Sequence, residues 1–159
     1  MRIVSLKEHI ELIPTLAEWH HRQWAYLNPR SSVEKRIASL TAQTTSEDIP
    51  QTFIAVRGAT LLGSASLVPH DMETRMELFP WLASVFVAPE QRNRGVGSAL
   101  VRHTVEEAAR RGYETIYLFT PDREALYRHL GWSLLERAEY HGHRVDIMMI
   151  RPTSSEAGS

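Results

Sequence analysis

Two arginines, Arg92 and Arg94, and two glycines, Gly95 and Gly97, stand between an apolar run at residues 81–87 and a helix-like run at 96–111. A strand that delivers a glycine-rich turn onto a helix N-terminus makes an anion site. The first helical N–H groups lack partners, and the positive end of the helix dipole points the same way. An exposed cation at that end costs about 0.3–1 kcal/mol. Arg92 and Arg94 are therefore poor choices for helix stability alone and good choices for docking a polyanion. The far end is conventional, with Arg110 and Arg111 in the last turn and Gly112 as the stop. Two solvated arginines beside a flexible turn are the plainer reading, and for a bare Gly-x-Gly it would be preferred. The strand-to-helix setting and the paired arginines argue against it.

The pattern Arg92-x-x-Gly95-x-Gly97, after a buried strand ending in Val85-x-Val87, resembles the acyl-CoA signature of the GNAT N-acetyltransferase superfamily. It lacks the Gly-Lys-Ser/Thr ending of a P-loop, and it is not a complete GxGxxG fingerprint with a following acidic residue. The resemblance covers residues 81–150, and the element order of the first half is compatible with it. It implies acetyl-CoA as cosubstrate, with the diphosphate held by Arg92, Asn93, Arg94, Gly95, Val96, Gly97 and Ser98. Backbone N–H groups, the Ser98 hydroxyl and the arginines would bind its oxygens. The strand segment Val85, Phe86, Val87 would line the pantetheine, the backbone of Val85 and Val87 pairing with its amides like an extra strand. That needs an opening beside 81–87, where the strand holding 115–119 splays away.

Acetyl transfer from a thioester to an amine needs a neutral amine, a donor for the developing oxyanion and a proton for the departing thiolate. The run from Asp122 to Trp132 resembles the family's segment ending in Tyr-x-x-Leu-Gly-Phe, which implies Tyr127 as general acid. A phenol with pKa about 10 can protonate a thiolate at neutral pH. The plainer reading of Tyr127 is core packing on a short helix. Trp132 stands where the family more often has Phe and reads as packing. Asp122 and Arg123 stand near where the family often has asparagine.

The central strand offers only Ser84 as a polar side chain. Glu77, just before it, is the candidate general base, with Asp71 and Glu73 in the preceding loop. All three also suit solvated loop carboxylates, in which case a water chain or the amine's own pKa would suffice. His20 and His21 are adjacent on a helix and point to different faces. His141-x-His143 has no third ligand at an obvious spacing, so no metal is expected. Trp19 reads as core. In the resembled superfamily the first two helices and their loop border the acceptor site, which points to residues 24–29 for specificity.

The 159 residues suit one domain at 1–152 with a polar, frayed tail at 153–159. Apolar residues make up 43%, and the net charge is −1, so no basic field selects nucleic acid. There is no cysteine, which excludes disulfides, thiolate metal sites and a cysteine nucleophile. No apolar run is long enough to span a membrane, and no secretory leader is evident, so a cytoplasmic location is expected.

The elements that would position these residues follow from periodicity. Strands are expected at 2–6, 52–56, 61–68, 81–87, 115–119, 133–140 and 144–150, with turns at 57–60 and 141–143. Helices are expected over 8–24, with Pro14 interrupting or starting a turn, from Ser32 as N-cap through Leu40, over 96–111 and over 121–130. Residues 41–50 and 69–80 read as polar connections. Strand–helix–strand units within a mostly antiparallel series predict an α/β fold, a central mixed sheet with helices on both faces. The resemblance implies the same, the GNAT acyl-CoA N-acyltransferase fold. The expected function is transfer of acetyl from acetyl-CoA to a small-molecule or peptide primary amine by direct attack in a ternary complex, in a monomer or homodimer. A non-catalytic acyl-CoA-sensing module of the same fold and an unrelated phosphate-binding module are the alternatives.

Overall fold

The computed structural model describes residues 1–152, so the expected tail at 153–159 lies outside the described residues. Seven strands form one sheet: β1 (Arg2–Ser5), β2 (Gln51–Arg57), β3 (Thr60–Val68), β4 (Trp81–Val87), β5 (Ile116–Thr120), β6 (Ser133–Tyr140) and β7 (His143–Ile150). The order across the sheet is β1-β2-β3-β4-β5-β7-β6. Only β4 and β5 are parallel; the other pairs are antiparallel.

Side-chain alternation sends successive residues of β2 to opposite faces. Phe53 and Ala55 join Leu62, Leu82, Leu100 and Met148 in one cluster, while Ile54 and Val56 join Leu6, Leu16 and Leu40 in another. The first face is covered by α3 (Val96–Arg110) and α4 (Glu124–His129), the second by α1 (Ile13–Trp24) and α2 (Val33–Gln43). A third cluster, Met72, Trp81, Val145 and Ile147, lies under the loop between β3 and β4. Ile147 neighbours Met148 of the first cluster, so this loop covers the same face as α1 and α2. Each fully buried aliphatic side chain here contributes about 1.5–3 kcal/mol through lost water contact.

The helices differ from expectation at their starts and stops. Residues 6–12 form two short 3-10 turns, and α1 begins at Ile13 with Pro14 in its first turn. Proline fits there because its missing N–H has no helical partner to lose. Ser32 caps α2 by accepting from the Lys35 N–H at 3.1 Å. That helix runs on to Gln43, into the stretch expected to be loop, because buried Gln43 accepts a hydrogen bond from the Thr52 hydroxyl of β2. Residues 121–123 are a turn, not helix: the Thr120 Oγ1 accepts from the Arg123 N–H at 3.0 Å, and α4 starts at Glu124. Among the described residues no helix is long and apolar enough to cross a membrane.

Candidate active site

The parallel strands β4 and β5 pair only at Trp81 and Tyr117, where the Tyr117 N–H donates to the Pro80 carbonyl at 3.0 Å. Beyond that point they part, and a cleft of about 750 Å³ opens between them. On the other side of β4 the register with β3 slips. Ser64 faces Phe86 and Ser66 faces Ala83, so β4 carries one extra residue, and Ser84 has φ of 56°. A non-glycine residue in that region is held there by its surroundings. Bulges of this kind re-aim the backbone that follows. Past the bulge, the Ala88 N–H donates to the Leu62 carbonyl at 2.9 Å, and the Phe86 carbonyl faces Gly63. Backbone groups alternate along a strand, so those of Val85 and Val87 turn to the open edge, toward the cleft. Gly63 permits this approach, since a Cβ there would lie 2.4 Å from the Phe86 oxygen.

The turn after β4 leads into α3. Asn93 and Gly95 both have left-handed φ, 63° and 83°. The first helical bond runs from the Ala99 N–H to the Gly95 carbonyl at 3.0 Å, and no side chain caps the helix. The start of α3 therefore leaves uncapped N–H groups among residues that border the cleft. Val96 is buried and pins the turn to the core. Asn93, Gly95, Val96, Gly97 and Ser98 all line the cleft, as do Val85, Phe86 and Val87. A Cβ on Gly97 would lie 3.3 Å from Val87 Cγ2, so the small residue lets the helix close on the strand. Arg92 also lines the cleft, with its guanidinium 5.8 Å from the Phe86 ring centroid and its Nε donating to the Val87 carbonyl at 3.0 Å. Arg94 is exposed and does not line the cleft.

Tyr127 reaches the cleft from α4 and is 8% exposed. Burial pushes its phenol up to about 12, against the opposing effect of Arg123. The hydroxyl has no hydrogen-bond partner among the described residues, and it is protonated at neutral pH. Its ring packs edge-on to Trp132 at 6.1 Å, and the Trp132 backbone N–H donates to the Tyr127 carbonyl at 2.9 Å, which fixes α4 against β6.

The candidate base requires correction. Glu77 is exposed and does not line the cleft; Asp71, from the same loop, does. Buried Met72 inserts beside Trp81 and draws its neighbour Asp71 inward. The far part of the loop is held outward by Arg75, whose Nε donates to Glu136 at 2.8 Å. Burial pushes the Asp71 carboxyl up to about 7, with Arg36 pulling the other way.

A buried polar chain that periodicity did not single out lies beneath the bulge. His20 Nδ1 accepts from Arg36 Nε at 3.0 Å, so His20 Nε2 carries the proton and donates to the Ser64 hydroxyl at 2.8 Å. Ser64 in turn donates to the Ser84 carbonyl at 3.0 Å, and Arg36 Nη2 donates to the Ser84 hydroxyl at 3.0 Å. Burial, then the Arg36 cation, hold His20 well below its ordinary range, so it is neutral. The signal was present in the sequence. His20 lies on the buried stripe Ile13, Leu16, Ala17, and Arg36 lies between Val33, Ile37 and Leu40. A polar residue on an apolar stripe must have a partner.

Of the aromatics, Trp19 packs on Phe86 at 5.5 Å, whereas Trp24, Tyr26, Leu27 and Asn28 line the cleft. His141 pairs with Glu73, and His143 packs edge-on to Tyr26. Among the described residues no three His, Cys, Asp or Glu side chains gather as a metal site.

A splayed parallel pair, a bulged central strand and an uncapped glycine turn together define an acyltransferase scaffold, and comparison with known proteins agrees. The acetyltransferase (GNAT) family model matches residues 13–132, and the chain belongs to that family. Among solved structures, an aminoglycoside 6'-N-acetyltransferase complexed with coenzyme A is 18% identical, with TM-score 0.75, covering 96% of this chain and 98% of that one. A ribosomal-protein-alanine N-acetyltransferase from Brucella melitensis is 18% identical, with TM-score 0.71 and coverage of 95% and 99%. A Salmonella typhimurium protein with its cofactor acetyl-CoA is 15% identical, with TM-score 0.72 and coverage of 97% and 95%. At these identities the likeness concerns the fold. No curated protein matches the sequence.

Proposed function

We propose that the protein is an acetyl-CoA-dependent N-acetyltransferase that moves an acetyl group to a primary amine by direct attack in a ternary complex. One observation carries this reading: the Tyr127 hydroxyl, unpartnered and protonated, opens on the cleft that also contains the free edge of β4 and the open turn before α3. Acetyl-CoA supplies an activated acyl group as a thioester. The N–H groups of the 92–98 turn, the Ser98 hydroxyl and Arg92 bind its diphosphate. Val85 and Val87 offer backbone groups to the pantetheine amides, and a backbone N–H of β4 receives the developing charge on the acyl oxygen. Tyr127 delivers a proton to the departing sulfur. With no cysteine in the chain, a cysteinyl intermediate is disfavoured, which supports direct transfer.

The test is release of CoA from acetyl-CoA across a panel of amines, with binding followed by thermal shift against CoA and ATP. Transfer to at least one amine, with CoA bound more tightly than ATP, is expected. CoA binding without transfer to any amine would make the protein an acyl-CoA sensor. ATP binding as tight as CoA binding would make the turn a general phosphate site.

A further inference from the structure

Among the residues that line the cleft are two of opposite charge that do not meet, Arg36 and Asp71. Arg36 is only partly exposed, and the groups it bonds, His20 Nδ1 and the Ser84 hydroxyl, are both neutral. No carboxylate among the described residues closes an ion pair with it, and its Nη1 has no hydrogen-bond partner. Asp71 lines the same cleft and accepts no hydrogen bond from the described residues. The two feel each other's charge, yet no ion pair joins them. Buried charges are ordinarily paired and hydrogen-bonded. Here both are held apart, Arg36 by the His20–Ser64–Ser84 chain and Asp71 by the anchored Met72.

A cation and an anion fixed in one pocket with unspent bonding capacity match a ligand carrying both charges. From the N-acetyltransferase reading above, we infer that the acceptor is a small zwitterion, an amino acid or similar amine with an acidic group, bound between Arg36 and Asp71. Arg36 Nη1 takes the carboxylate and Asp71 takes the ammonium. Trp24 at the end of α1, Tyr26 from the α1–α2 connection and Tyr140 from β6 border the same space. Before attack, one ammonium proton passes to the Asp71 carboxylate. The nitrogen lone pair then forms the C–N bond to the acyl carbon, the C–S bond breaks, and the sulfur takes the Tyr127 proton. The second proton lost by nitrogen restores the phenol through solvent, and the Asp71 proton is the one released. Two products leave: the N-acetylated zwitterion, now an anion, and CoA with a free thiol.

The decisive experiment is a matched-pair assay on the wild-type protein with acetyl-CoA. α-Amino acids are compared with their amides, and ω-amino acids with alkylamines of equal length, by CoA release. A charge-assisted contact predicts kcat/KM higher for the acid-bearing member by on the order of tenfold to a hundredfold in at least one series. Arg36→Gln should reduce the acid-bearing substrate to the level of its amide, and Arg36→Lys should recover part of the preference. Because the wild-type preference needs no variant, a failure of Arg36→Gln to fold does not remove the test. Equal rates within every pair, or faster transfer to the amides, would overturn the zwitterion assignment while leaving the transferase reading intact. No transfer to any panel member, with CoA still bound, would overturn both.

Discussion

Arg92 donates its Nε–H to the Val87 carbonyl across 3.0 Å, so the first arginine of the turn holds the last residue of β4. This bond anchors the guanidinium at the mouth of the cleft and leaves its remaining N–H groups for an anion. Arg92→Ala should weaken CoA binding by about tenfold or more, the worth of a charge-assisted contact. Arg92 is exposed, so stability should change by less than about 1 kcal/mol. Calorimetric titration with CoA checks the first part; wild-type affinity would remove Arg92 from the binding site.

Tyr127→Phe keeps the ring against Trp132 and removes only the hydroxyl. A lost general acid costs on the order of 10²–10⁴ in turnover, with the KM for acetyl-CoA little changed. Steady-state kinetics separates the two effects. An unchanged kcat would reduce Tyr127 to a packing residue.

Asp71 must be ionised to take a proton, and its carboxyl titrates at about 7. Activity should therefore be present above that pH and fall as the pH drops through it. Arg36 from α2, Tyr140 from β6, and His141 and Glu73 at the rim are the other titratable groups around it. Asp71→Asn should lower kcat/KM and abolish this acid limb. Stability runs the other way. A pKa raised from 3.8 means that ionisation is disfavoured in the fold, so native stability declines as pH rises from about 4 through 7. Asp71→Asn should thus be more stable than wild type at pH 8, by no more than about 4 kcal/mol, and equal to it near pH 4. Thermal melts at the two pH values test this.

Ser64→Ala removes the link between His20 and the Ser84 carbonyl and leaves two buried polar atoms unpaired. A cost of about 1–3 kcal/mol follows, readable by urea denaturation. His20 sits below its ordinary pKa, so its contribution is present above pH 6.5 and lost as pH falls. His20 therefore favours unfolding as pH falls below 6.5, and His20→Gln should remove that component of the stability–pH profile.

Gly63→Ala would drive a methyl group to 2.4 Å from the Phe86 oxygen, a backbone atom that cannot yield without moving β4. The substitution should destabilise the fold by about 1–3 kcal/mol or more and weaken CoA binding, since Val85 and Val87 would shift with the strand. Gly58→Ala in the β2–β3 turn is the contrast. It meets no atom, and its cost is limited to the left-handed φ of 61°.

The strands, helices and glycine turn were legible because each is a local matter. Alternation, helical spacing and a missing Cβ act over a few residues, and Val85, Gly95 and Gly97 stand where those patterns pointed, while Tyr127 was singled out by the family resemblance alone. Residues 24–28 border the cleft as the family resemblance implied, but its charged groups were not legible. Glu77 lies nearer β4 along the chain, yet Met72 folds inward and brings Asp71 to the cleft instead. His20, Arg36, Ser64 and Ser84 come from two helices and two strands, and only packing gathers them. By itself the sequence determined the order of elements and the uncapped glycine turn before α3, because short-range sterics and a missing Cβ dictate both. The parting of β4 from β5, the bulge at Ser84 and the two unclosed charges were decided only in three dimensions, where distant segments compete for the same buried space.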